Sequence, residues 1–174
     1  MFTMHHLHAT MALTLGLTAM ASSDHQVPSA DIEFVGRATS GMLFEMEASK
    51  LVKKSTKRDE VKAFADRMLA DHAKAHKDLM EAAKKAQIDL PTKMAEIDQK
   101  RFAKIWDAKE GTREKVYLES LGKGHEEAVV LYTKAAATAK DPALREYARK
   151  TLPVIKEHSE HIKKCVSEIK SPPQ

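Results

Sequence analysis

Residues 61–83 read VKAFADRMLADHAKAHKDLMEAA, and this stretch decides the fold class. Apolar side chains recur in it at steps of three and four residues, the spacing that gives an α-helix one apolar face. These residues are Val61, Phe64, Ala65, Met68, Ala75, Leu79 and Ala83. His72 lies at the centre of that face. A histidine facing a protein core is costly unless its ring nitrogens find hydrogen-bond partners or a metal ion.

Three further long helices and one short helix are expected from the same spacing. The stretch above belongs to the second long helix, which is expected at about 59–86. The other long helices are expected at about 31–54, 113–139 and 142–170, and the short helix at about 93–108. The composition agrees, because 43% of the residues are hydrophobic and only six glycines and six prolines interrupt them. The sequence therefore predicts one all-α domain.

The ends of the helices carry recognisable signals. Asp59 is expected to cap the second long helix, and Asp141 followed by Pro142 is expected to cap and begin the last one. Pro153 lies inside that last helix, where proline removes a backbone hydrogen bond. We therefore expect a kink or a break there.

The lengths of the connections predict the topology. Short turns join the first helix to the second and the third long helix to the fourth, so each of these pairs should be antiparallel. The middle connection is long enough to return along the bundle, which would make the second and third long helices parallel. This arrangement is a ferritin-like four-helix bundle with a long crossover connection that contains the short extra helix.

Four polar residues are expected to form one layer inside the bundle. His125 and His158 lie at the centres of apolar faces, as His72 does, and Glu45 is similarly placed on the first helix. Glu45 and His72 lie at similar distances along their helices from the turn that joins them. The same holds for His125 and His158, and in each pair the two distances differ by about one helical turn. The four side chains could therefore converge near mid-bundle.

Two interpretations of this layer remain open, and the favoured one is a metal-free His/Glu hydrogen-bond network that fixes helix register. The alternative is a site for a single transition-metal ion, iron, zinc or copper, held by Glu45, His72, His125 and His158. His76, His161 and Glu126 share faces with or flank these residues, and are candidate additional ligands. Di-iron chemistry is disfavoured, because the core histidines lack the Glu-x-x-His spacing.

Other function classes find little support. The chain has no phosphate-binding glycine loop, no Gly-x-Ser-x-Gly and no His-Glu-x-x-His, so catalysis is disfavoured and stays open only for the metal-dependent alternative. Its net charge is +4, but basic and acidic residues alternate, which argues against a nucleic-acid partner. A non-catalytic binding or envelope-stress role is favoured, and a protein-interaction module, with an envelope protein as partner, is a further alternative. The oligomeric state stays open.

The start of the chain resembles an export signal. Residues 11–20 form a short uncharged apolar run, and Ala19-Met20-Ala21 is a small-x-small cleavage site. The predicted organisation is therefore a signal peptide at 1–21, a flexible leader at 22–30, the bundle at 31–170 and a tail at 171–174. The first ten residues contain no Lys or Arg, so an uncleaved extension is the alternative. We expect a periplasmic or secreted protein with no transmembrane segment in the mature chain and no support for outer-membrane association.

Cys165 is the only cysteine, which excludes an intrachain disulfide. Its position on an apolar helix face predicts a buried thiol. A bond between two chains is the alternative in an oxidising compartment.

Several segments carry a family resemblance. They are SGMLFEMEASKL at 40–51, VKAFADRMLADHAKA at 61–75, YLESL at 117–121, HEEAV at 125–129 and ARKTLPVIKEH at 148–158. Over about residues 30–168 the chain resembles a large bacterial family of exported proteins, known as a domain of unknown function and often labelled "predicted outer membrane protein". The resemblance implies a ferritin-like four-helix fold and a periplasmic or envelope location, and it implies no particular activity.

Overall fold

The computed structural model describes residues 27–170, with side chains up to residue 167. These residues form five helices and no strand, which confirms the all-α prediction. The helices are α1 (Ser29–Ser55), α2 (Asp59–Lys85), α3 (Glu96–Asp107), α4 (Glu110–Thr138) and α5 (Pro142–Lys170). Among the described helices, none has both the length and the apolar character needed to cross a membrane.

The helix ends agree with some of the sequence signals and correct others. The Asp141 carboxylate accepts hydrogen bonds from the backbone N–H groups of Ala143 at 2.7 Å and Leu144 at 3.1 Å, which confirms it as a cap. The prediction for Asp59 was wrong, because Asp59 is the first residue of α2 and no side chain caps that end. A break at Pro153 was also wrong, since α5 continues through it.

The predicted segments at the two ends of the chain are described only in part. The expected signal peptide at 1–21, the leader up to residue 26 and the tail at 171–174 lie outside the described residues. The last two leader residues, 29 and 30, belong to the first turn of α1, which begins at Ser29. The described residues are therefore mainly those of the five helices.

Contacts between helices give their directions. Phe34 packs edge-to-face on Tyr132, and Ser49 is hydrogen-bonded to Tyr117 at 2.9 Å, so α1 and α4 are antiparallel. Lys53 pairs with Asp66 next to the α1–α2 turn, and Glu45 contacts His72 further along, so α2 is also antiparallel to α1. Therefore α2 and α4 run in the same direction.

Two apolar clusters fill the core, one on each side of the polar layer. On α2, Met68 belongs to one cluster and Leu79 to the other, with His72 between them. On α5, Ile155 and Ile162 likewise lie on opposite sides of His158. The polar residues therefore interrupt what would otherwise be a continuous hydrophobic core.

Helix α3 is attached to α1 by a buried hydrogen-bond network. Ser40 donates to the Asp98 carboxylate at 2.5 Å and accepts a hydrogen bond from the Ala95 backbone N–H at 2.8 Å. Arg101 pairs with Asp98 at 3.1 Å and with Glu127 of α4 at 2.6 Å. These contacts place α3 beside α1 and α4, where it forms part of a cavity wall.

Asp31 makes a long-range contact that sequence patterns do not signal. This carboxylate is buried and accepts hydrogen bonds from the backbone N–H groups of Lys140 at 3.0 Å and Asp141 at 2.8 Å. We expect Asp31→Ala to lower the free energy of unfolding by about 2–3 kcal/mol, because charge-assisted hydrogen bonds are lost and two donors lose their acceptor. Urea denaturation measures this. Glu33→Ala, at an exposed neighbour, should change it by less than about 0.5 kcal/mol; equal effects of the two variants would contradict the assignment.

Candidate functional site

Four long helices each supply one buried polar side chain to a single layer. Glu45 comes from α1, His72 from α2, His125 from α4 and His158 from α5, and all four are buried. The three imidazole rings form a triangle with centroid separations of 5.6–5.9 Å. The structure thus brings together the four residues that the sequence places at the centres of separate helix faces.

Glu45 contacts two of the three histidines. Its Oε1 lies 3.0 Å from His125 Nδ1, and its Oε2 lies 3.1 Å from His72 Nε2. Gly124 packs beside this carboxylate, since a Cβ at that position would lie 3.4 Å from Oε1, an ordinary van der Waals contact. The first-helix residue is therefore held at the centre of the layer.

Hydrogen bonds fix which ring nitrogen of two histidines carries a proton. His125 Nδ1 lies 3.1 Å from the Leu121 carbonyl oxygen, which can only accept, so Nδ1 is the donor. His158 Nε2 donates to the Asp71 carboxylate at 2.8 Å. In both rings the second nitrogen is then left facing the interior, as in metal-binding histidines whose other N–H is held by a carboxylate or a carbonyl.

Three ring nitrogens in this layer have no hydrogen-bond partner. They are His72 Nε2, His125 Nε2 and His158 Nδ1, each fully shielded from solvent. Each of the three rings also offers one nitrogen to a group whose members all lie within 4.8 Å of one another. Buried polar atoms are almost always satisfied in native proteins, so this convergence needs an explanation.

The contact between His72 and Glu45 is close without being a directed hydrogen bond. Their 3.1 Å separation is short enough for an ion pair, yet His72 Nε2 has no partner when the direction of the bond is considered. A hydrogen bond weakens steeply when it is bent, so the short distance alone does not make this contact a hydrogen bond. The nitrogen and the oxygen are adjacent and do not satisfy each other.

Burial and mutual charge set the protonation of the layer. Burial alone would raise the pKa of Glu45, but the charges of His125 and His72 and a hydrogen bond from His125 lower it to about 2. Burial lowers the pKa of His72 to about 4, although the Glu45 charge opposes this. Burial also lowers the pKa of His158. At neutral pH, Glu45 is therefore ionised and His72 and His158 are neutral.

His125 behaves differently from the other two histidines. Burial lowers the pKa of its imidazole, but the charge of Glu45 and a hydrogen bond with it outweigh burial and raise the pKa above its ordinary value. The ionised Glu45 carboxylate therefore stabilises the protonated form of its partner His125, and His125 has to lose its Nε2 proton before that nitrogen can bind a metal. The remaining two rings are already in the neutral form that metals require.

The geometry is compatible with tetrahedral coordination after a small contraction. Zinc–nitrogen bonds of about 2.0–2.1 Å place two tetrahedral ligands about 3.3 Å apart. His72 Nε2 and Glu45 Oε2, at 3.1 Å, are already near that separation, whereas the three ring nitrogens lie within 4.8 Å of one another. A shift of each ring nitrogen by about 1 Å toward a common centre would bring the three to that separation.

The three additional candidate ligands lie outside this layer. His161 is exposed and stacks on Phe64 with ring centroids 4.6 Å apart. His76 is half-buried beside a separate groove, and Glu126 is exposed. Within residues 27–167, the three layer histidines are the only group of three or more His, Cys, Asp or Glu side chains close enough to share one ion.

Asp71 and Arg67 are the partners that sequence reasoning missed. Asp71 adjoins His72 but points about 100° away around α2, toward His158 of α5. Arg67, one turn earlier, lies 3.4 Å from Asp71 and pairs with Glu157 at 2.7 Å. The four-residue spacing of Arg67 and Asp71 is the signal that could have indicated a supported carboxylate.

Comparison with known families adds a classification. The family model described as "Domain of unknown function (DUF4142)" matches residues 16–165. The chain belongs to the DUF4142 family. This confirms the expected membership of a family without an assigned activity. No curated protein and no solved structure matches this DUF4142 chain.

Proposed function

We propose that the chain binds one divalent transition-metal ion in the layer formed by Glu45, His72, His125 and His158. The observation that carries this proposal is a cluster of three buried histidines, each of which has one ring nitrogen without a hydrogen-bond partner and offers one nitrogen to a group within 4.8 Å. Imidazole nitrogens suit zinc, copper and iron, and the Glu45 carboxylate adds an oxygen ligand or orients His125. The role is binding, for storage or sensing, without catalysis by the chain.

The orphaned nitrogens favour a metal over the metal-free network. A network that served only to fix helix register would pair its own donors and acceptors, since each buried polar atom left alone costs about 1–3 kcal/mol. Here the outer nitrogens of His125 and His158 are paired and the inner ones are not. A metal cation that displaces the Nε2 proton of His125 and lies between the inner nitrogens would satisfy all three at once.

The fold and location that accompany this role are also proposals. The shared direction of α2 and α4, joined through α3, supports a ferritin-like four-helix bundle. The apolar run at 11–20, with a cleavage site near Ala21, supports a periplasmic or secreted protein. Such a protein could act with an envelope partner while holding its metal.

The test compares two histidines of the same helix. Metal-free full-length protein is incubated with Zn²⁺, Cu²⁺ or Fe²⁺, desalted and analysed for bound metal. We expect His158→Ala to hold about one equivalent less than the wild type, because a ligand is removed, and His161→Ala to equal the wild type. The difference in bound metal between the two variants is more informative than the total bound metal, because His5, His6 and His8 also offer nitrogen ligands.

The outcomes separate the proposal from the metal-free network. Equal metal content in the two alanine variants and the wild type, for all three metals, would overturn metal binding by this layer. In that case the His/Glu network, with a structural role, is the interpretation that stands.

A further inference from the structure

A cavity adjoins the histidine layer. Its volume is about 330 Å³, and Glu45, His72, His125 and His158 all contribute to its wall. Side chains of all five helices line it, including Arg101 and Asp98 of α3. The residues of the proposed metal site therefore also form part of the cavity wall.

Charge and coordination indicate what would occupy this space. Three neutral imidazoles and the Glu45 carboxylate around a divalent cation leave one net positive charge in a buried position, which favours a monoanion as a further ligand. Asp71 does not cancel this charge, because it is partly exposed and pairs with Arg67. Arg101 is already paired with Asp98 and Glu127. Arg37, the other cation in the cavity wall, lies 3.5 Å from Glu33. The metal is thus the cation without a carboxylate partner outside the layer, and it would attract the anion.

The cavity walls away from the histidines indicate the chemistry of the rest of the ligand, which we call its body. Away from the histidines the cavity is lined largely by apolar side chains, among them Met42, Phe44, Leu131 and Ile155. A hydroxide ion would balance the charge but would leave the apolar walls in contact with water. An anion with an apolar body would balance the charge and also cover these walls. An apolar cavity of about 150 Å³ takes up benzene, so a volume of about 330 Å³ has room for a ring and its carboxylate.

We propose that the metal-loaded site binds a small monocarboxylate with an apolar body, with the carboxylate on the metal and the body in the cavity that the five helices line. This inference rests on the proposed metal site. It identifies the class of ligand that the chain carries or senses together with its metal.

Two glycines of α1 supply a matched pair of variants. Gly41 lines the cavity, and a Cβ built there meets no atom within 4 Å, so a larger side chain can extend into the space. Gly36 is on the same helix, and its Cβ also meets nothing within 4 Å, but it is not part of the cavity wall. Gly41→Leu and Gly36→Leu therefore make the same helix change with different effects on the cavity.

The experiment uses full-length protein loaded with Co²⁺, whose visible absorption changes with its coordination. Sodium benzoate, sodium acetate and benzamide are titrated into it. We expect benzoate to bind at least about tenfold more tightly than acetate, because its ring is buried against apolar walls, and benzamide to leave the spectrum unchanged. Gly41→Leu should weaken benzoate binding by about tenfold or more, and Gly36→Leu should change it by less than about twofold.

Each contrary result has a defined meaning. Equal affinities for benzoate and acetate, or equal benzoate affinities in the two leucine variants, would overturn the cavity as the place of the body. Bound Co²⁺ with a spectrum that no anion changes would overturn the ligand and leave the metal site standing. Failure of His158-dependent Co²⁺ binding would overturn both proposals. If Gly41→Leu does not fold, the benzoate-to-acetate ratio in the wild type decides the question alone.

Discussion

His125→Leu is expected to lower the free energy of unfolding of the metal-free protein by about 3–5 kcal/mol. The substitution removes the partner of Glu45 in a buried charged pair, whose atoms lie 3.0 Å apart. Leucine fills much of the imidazole volume, so the loss comes mainly from an uncompensated buried carboxylate. For a chain of this size the melting temperature should fall by about 6–20 °C. Urea denaturation with a chelator present measures the free energy.

A double variant separates this electrostatic loss from a packing loss. Adding Glu45→Leu to His125→Leu removes the stranded charge, so part of the stability should return, with a coupling energy of at least about 1 kcal/mol. His76→Leu, outside the layer on α2, is the matched histidine control and should have an effect below about 1 kcal/mol. Additive effects of the two layer substitutions would show that Glu45 and His125 do not form a pair.

Acidification is expected to destabilise the metal-free protein through His72. Burial lowers the pKa of His72 from 6.5 to about 4, so the unfolded chain takes up a proton at a higher pH than the folded chain does. The stability from the neutral ring is complete above pH 6.5 and is lost as the pH falls toward 4. Between pH 7 and pH 4.5 this amounts to on the order of 2–3 kcal/mol.

The neighbouring groups determine how this loss is measured. The lowered pKa of His158 acts in the same direction, and that of Glu45, about 2, acts mainly below pH 4.5. The raised pKa of His125 acts in the opposite direction, since its contribution is present at low pH and is lost as the pH rises. Asp71 and Arg67 complete the charges that face the layer.

The informative quantity is therefore the difference between the wild type and His72→Met, which cannot titrate at this position. Urea denaturation of both metal-free proteins at pH 7 and pH 4.5 should show the wild type losing about 2 kcal/mol more than the variant. Equal losses would mean that His72 is not held neutral by burial.

Much of the helical architecture could be predicted from the sequence, because each long helix buries one face for most of its length. The steps of three and four residues in 61–83 place α2 to within a residue of its observed ends. Isolated polar residues were less reliable as boundary signals. Asp141 caps α5, whereas Asp59 caps nothing, because capping depends on side-chain conformation as well as position. Pro153 is accommodated within α5.

The candidate site could be predicted in its inward residues and not in its supporting contacts. Periodicity identifies a residue at the centre of an apolar face, which is why Glu45 and the three histidines were found. It cannot identify Asp71, which supports His158 from the edge of a neighbouring helix. The cavity depends on the positions of five helices, and the lengths and faces of single helices carry no information about it.

The division of the layer between two helix pairs has a consequence for assembly of the fold. The helical hairpin of α1 and α2 contributes Glu45 and His72, and the hairpin of α4 and α5 contributes His125 and His158. Neither hairpin alone contains more than half of the polar residues, so the layer forms only when the two hairpins dock. The charged contact between Glu45 and His125 is a contact across that docking surface, and it makes correct registration of the two halves a condition for burying either group.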